Sequence, residues 1–238
     1  MAKDTDFLYV SARIKFLETK LLGKSAIERI LDASGPDEAL KVLGDTEYGS
    51  DIAEMENIYD FEKVLQQSML RTIKTLRESF KNHDIIQFFI IKNDYHNLKV
   101  IVKGSILGTE VNEYFSQLGE VSPEEIKKYA EGDTGAIIPD SLKKSYNKAM
   151  EIYETTRDPQ QVDFVLDQAL FEEMAKIVES TRAPFLKEYL TALSDLTNIK
   201  TMVRLRKIDG DVRTLDSALV TGGSLPKEFF KEKFSGSI

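Results

Sequence analysis

Cysteine is missing altogether, and so is tryptophan. Without cysteine there are no disulfides, thiolate metal sites, iron–sulfur clusters or thiol nucleophiles. Two histidines, His83 and His96, leave little material for a Ser-His-Asp relay, and no Gly-x-Ser-x-Gly elbow appears. No apolar run approaches the roughly 20 residues that span a bilayer. The opening MAKDTDFLYV has neither the basic nor the apolar region of a signal peptide. Basic residues number 32 against 40 acidic ones, for a formal charge of −8. Nucleic-acid phosphates and anionic lipid both require a basic face, and no basic cluster supplies one. The expectation is a soluble, cytoplasmic protein with no nucleic-acid partner and no bound cofactor.

What is present reads as helix. In 238 residues, 42% hydrophobic and 30% charged, a real core can form within two modest units or one elongated one. Phe7, Val10, Ile14, Leu17 and Leu21 recur at helical spacing, and Gly23 ends the run. Ser25, three before Glu28, has the spacing of a capping box. Pro36 suits a first helical turn and Gly44 closes that piece. DTEYGSDI is a loop by composition, and DFEKVLQQSMLRTIKTLRESF is a long helix. Ser122-Pro123-Glu124-Glu125 is another helix start, and Asp158-Pro159 splits two further helices. Only LKVIVK, with Val100, Ile101 and Val102, invites a strand.

The chain also repeats. Shifted by 101 residues, NDYHNLKVIVKGS falls without a gap on SDLTNIKTMVRLR, laying Asp94 on Asp195, Asn97 on Asn198 and Lys99 on Lys200. The same register lays Leu65 on Leu166 and Glu78 on Glu179. One register held over some forty residues implies repeated helical units of about one hundred residues. Because TNIKTMVRLR is much less strand-like, both copies read as helix. The boundaries expected are residues 1–110 for a first unit, 111–210 for a second and 211–238 for the start of a third.

A catalytic Asp-Asn pair has little reason to occur once per repeat, whereas an architectural device recurs with the architecture. Asp94, Asn97 and Lys99, with Asp195, Asn198 and Lys200, are therefore read as an architectural motif. Either they fix how a helix packs on a neighbouring turn, or the two aspartates are N-caps. Gly23-Lys24-Ser25 resembles the tail of a phosphate-binding loop, but position 18, where another glycine belongs, is Glu18. His83, Asp84 and Asp94 could form a metal-dependent helical hydrolase site, the alternative function. His-Asp at 83–84 lacks the further upstream histidines such enzymes use. Gly222-Gly223 reads as a flexible turn before a proline-initiated helix.

The segments YVSARIKFLETKLL, DTEYGSDI, FFIIKNDYHNLKVIVKG, YLTALSDLTNIKTMVRLR and TGGSLP occur in the order seen in the C-type stalk component of bacterial and archaeal A/V-type rotary ATP synthases. That component is similar to its d-type counterpart in eukaryotic V-ATPases. The resemblance covers essentially the whole chain. It implies an all-α fold, a funnel-like arrangement of three pseudo-symmetric units, and no enzymatic activity. It also implies a central-stalk role: linking the rotor shaft proteins of the D and F type to the membrane c-ring and transmitting torque in proton or sodium transport. Membrane association would come only through those protein partners, peripheral to the cell membrane. A third motif would fall near position ~296 by the repeat period, so the chain reads as C-terminally truncated.

Overall fold

The computed structural model describes residues 8–79 and 84–236. Among these, twelve α-helices and two short 3-10 turns account for the regular structure, and there is no strand. The fold is all-α, as expected, and Val100, Ile101 and Val102 lie within a helix. The chain divides into two compact units between Ile86 and Gln87.

The first unit holds α1 (Leu8–Glu18), α2 (Lys24–Leu31), α3 (Pro36–Gly44), α4 (Gly49–Ala53) and α5 (Phe61–Ser79). The α3 bounds follow its proline and glycine. Glu38 reaches back to accept from the Ser34 amide at 2.8 Å and its hydroxyl at 2.6 Å, steadying the entry to α3. Two features differ from the sequence reading. Ser25 is not a cap: Gly23 is the N-cap of α2, its carbonyl accepts from the amides of Ala26 and Ile27, and Glu28 pairs with Lys24 at 3.6 Å instead. The DTEYGSDI segment is not only loop, since α4 begins inside it. Arg71 on α5 pairs with Asp51 and gives this five-residue helix the tertiary anchor its length cannot supply.

The second unit contains α6 (Asp84–Leu107), α7 (Pro123–Ala130), α8 (Asp140–Thr156), α9 (Pro159–Thr181), α10 (Pro184–Lys207), α11 (Val212–Ala218) and α12 (Lys227–Ser235). Of α6, the residues from Gln87 onward belong to this unit. Its helix starts obey local chemistry. Ser122 accepts from the Glu125 amide with Pro123 following it, and Asp158 accepts from the Gln160 amide with Pro159 following it. Both α8 and α9 stop on an arginine in the left-handed region, Arg157 at φ 53° and Arg182 at φ 52°. Each stands two before a proline, so the helix cannot resume until the next start. One core cluster joins Leu205 of α10, Leu215 and Ala218 of α11, Leu219 just beyond it, and Phe230 of α12, with Phe164 of α9 packed against it. Residues 211–236 are thereby seated on α9 and α10.

Candidate functional site

Asn97 lies wholly buried on α6 and treats one loop residue as a strand neighbour would. Its Nδ2 donates to the Ser116 carbonyl at 2.8 Å, and its Oδ1 accepts from the Ser116 amide at 2.8 Å. A primary amide carries the same donor and acceptor as a peptide group, so one side chain satisfies both backbone groups of a loop position. One turn earlier, Asp94 accepts from the amides of Val121 at 3.0 Å and Glu120 at 3.2 Å. Those amides lie just before α7, where a carboxylate also meets the positive end of the helix dipole.

The arrangement recurs on α10. Asn198 donates to the Val220 carbonyl at 3.0 Å and accepts from the Val220 amide at 2.8 Å. Asp195 accepts from the Leu225 and Ser224 amides, both at 3.1 Å, and from the Ser224 hydroxyl at 2.6 Å. These bonds hold the loop that enters α12. The helical residues correspond at an offset of 101, and the loop residues they hold at 104. The three extra positions fall in the connection, where α11 stands in place of a 3-10 turn at Asn112–Tyr114.

Gly119 and Gly223 complete the correspondence. A Cβ at either would run into the Oδ1 of Asp94 or Asp195 respectively, so close approach of backbone to carboxylate requires glycine at both. Sequence reading treats Gly222-Gly223 as a flexible turn and does not single out Gly119, Ser116 or Ser224. The signal that finds them is the alignment of GEVSP with GSLPK at an offset of 104, after the three-residue insertion is allowed.

The lysines do not join these clamps. Lys99 pairs with Asp167 of α9 at 2.6 Å, and Lys103, a turn on, pairs with Asp163 at 2.7 Å. Lys200 is exposed and has no ion pair among the described residues. Tyr95, beside Asp94, is buried and shares a hydrogen bond with Ser145 of α8; burial pushes its hydroxyl up to about 12, so it stays neutral. Burial pushes the Asp195 carboxyl up, but the Ser224 hydroxyl and the amides of Leu225 and Ser224 outweigh it. Their sum holds Asp195 below the ordinary aspartate value.

Among the described residues, the groups considered for hydrolysis form no cluster that could hold a metal ion. His83 lies outside the described residues, Asp84 opens α6, and the Asp94 carboxylate is held by loop amides. His96 is exposed, with Nε2 against the Tyr114 carbonyl at 2.9 Å. Gly23-Lys24-Ser25 opens α2, preceded by a turn that follows helix α1 rather than a strand.

Comparison with known proteins accounts for nearly the whole described length. The family described as ATP synthase (C/AC39) subunit matches residues 10–237. The chain is 26% identical over 215 residues to the C subunit of the V-type sodium ATPase of Enterococcus hirae, covering 90% of this chain and 65% of that protein. It is 24% identical over 224 residues to the C subunit of the V-type ATP synthase of Thermus thermophilus, covering 92% of this chain and 68% of that protein. With the C subunit of the A-type ATP synthase of Methanococcoides burtonii the identity is 22% over 233 residues, covering 92% and 64%. The chain thus spans about two thirds of the length of the curated relatives it matches. A match that runs through both clamps and both long helices places it: the chain belongs to the ATP synthase (C/AC39) subunit family.

Proposed function

We propose that this chain is a non-catalytic part of the central stalk of a V/A-type rotary ATPase, seating the rotor shaft and resting on the membrane ring so that torque passes between them. Family membership over residues 10–237 carries this reading. The architecture supplies what such a part requires. A torque-bearing element must be stiff, and stiffness in a helical stack comes from fixing how one helix meets the next. On this reading each clamp ties the last long helix of one repeat to the first helix of the following repeat. The first repeat then ends near residue 110, the second near 210, and residues 211–238 begin a third. The side-chain role is architectural: Asp94, Asn97, Asp195 and Asn198 hold loops, while Lys99 holds a neighbouring helix and Lys200 occupies the matching position.

Among the described residues no helix is long and apolar enough to cross a membrane. Attachment to the membrane on this reading runs through protein contacts with the ring, leaving the chain peripheral on the cytoplasmic side. Reconstitution tests the proposal. A rotary complex assembled with this chain is expected to couple ATP hydrolysis to ion pumping better than one assembled without it. Equal coupling with and without the chain would overturn the reading.

A further inference from the structure

One cleft of the second unit differs in chemistry from the others. It opens between α9 and α10, with a volume of about 650 Å³ and a mainly apolar lining. Small-molecule sites typically measure about 300–1,000 Å³ and are lined in the same way. Leu205, Ala218 and Val220 are buried in its floor, and Phe164 of α9 packs against the core cluster that holds the first two. The floor is fixed from both helices. Asn198 of α10 holds the two backbone groups of Val220. Gln168 of α9 donates through Nε2 to the Ser217 carbonyl at 2.8 Å and the Leu219 carbonyl at 3.3 Å. A floor held in this way is preformed, so a ligand need not order it on binding.

Charge at the rim is unbalanced. Two carboxylates reach the cleft, Asp163 and Asp167, and each is taken by a lysine of α6. Arg204 and Lys207 reach it as well; both are exposed and make no ion pair among the described residues. The turn that ends α10 supplies its own donors, since the Leu205 carbonyl accepts from the Gly210 amide at 2.8 Å and the Arg206 carbonyl from the Asp209 amide at 3.2 Å. These two cations are therefore not needed there. In four other clefts every lining lysine and arginine has a carboxylate partner. A chain of formal charge −8 thus sets two cations with no anion of its own beside an apolar floor. We propose that this cleft binds a small amphipathic anion, with a carboxylate head on Arg204 and Lys207 and a short aliphatic body laid over Phe164, Leu205 and Val220. Apolar burial holds the body, and the charge-assisted contacts fix which way it lies. A head alone leaves the floor wet, and a neutral body leaves the cations unpaired.

Octanoate is the probe, titrated calorimetrically into the whole chain, and saturable binding at one site per chain is expected. Arg204→Ala with Lys207→Ala should weaken it by roughly tenfold or more, the loss that follows when charge-assisted contacts go. Thr201→Phe, which fills the cleft from its wall and keeps both cations, should weaken it to a similar degree. Lys144→Ala with Lys148→Ala removes the same charge from exposed positions of α8 and should leave it unchanged. Octanol, which has the body without the charge, and acetate, which has little beyond the head, should each bind roughly tenfold more weakly or worse. Absence of saturable octanoate binding would overturn the proposal. So would binding that survives the loss of Arg204 and Lys207, an equal loss in the α8 variant, or octanol binding as tightly as octanoate, which would make the floor an indifferent apolar surface. The readout needs no other protein, so it stands or falls separately from assembly into a rotary complex.

Discussion

A buried asparagine that satisfies both backbone groups of one loop residue leaves two unpaired groups behind when it is cut to alanine. Stranding a buried polar group costs on the order of 1–3 kcal/mol. Asn97→Ala and Asn198→Ala are each expected to lose stability in that range by denaturant titration; unchanged midpoints would mean that the clamps are not architectural. Asp195 adds a pH signature. Its carboxyl is held below the ordinary value of 3.8 by the Ser224 hydroxyl and the Ser224 and Leu225 amides, against the opposing effect of burial. A carboxyl depressed in the folded state binds its proton more tightly when unfolded. Its contribution is therefore full above the ordinary value and fades as pH falls through the folded one. Asp195→Asn should be less stable than the parent at neutral pH, with the difference shrinking as pH falls below 3.8. A difference of equal size at neutral and acidic pH would remove the charge from the explanation.

At the scale of elements, much is legible because the local signals agree with the global fold. Pro36 and Gly44 mark the observed bounds of α3, and Ser122-Pro123 and Asp158-Pro159 open α7 and α9. LKVIVK reads as a strand by propensity, and only its alignment with TNIKTMVRLR identifies it as helix. That outcome follows because tertiary packing on α6 outweighs the weak preference of three β-branched residues. Other features are not legible. The spacing of Ser25 and Glu28 fits a capping box, yet Lys24 competes for the carboxylate one turn away, and Gly23 starts the helix through its carbonyl alone. A five-residue α4 has no periodicity to detect, since its anchor, Arg71, lies twenty positions on. The aspartate–asparagine pairs are visible, but their partners are mostly loop amides and carbonyls with no side-chain signature. Only the paired glycines, Gly119 and Gly223, mark where those loops pass.

At the scale of the molecule the formal charge of −8 bears on association rather than on fold. It creates a field that favours a basic surface on a binding partner, and raises the rate at which two such surfaces meet. Exposed charges are screened beyond a Debye length of about 8–10 Å at physiological salt and about 3 Å at 1 M. Apolar contacts are not screened in this way. If the chain seats the rotor shaft as proposed, that binding is expected to weaken as salt rises, through slower association more than faster release. Association and dissociation rates measured across a salt series would check this. If affinity held constant, or if the loss lay wholly in dissociation, the net negative charge would have no part in docking, and the proposed shaft contact would have to be apolar.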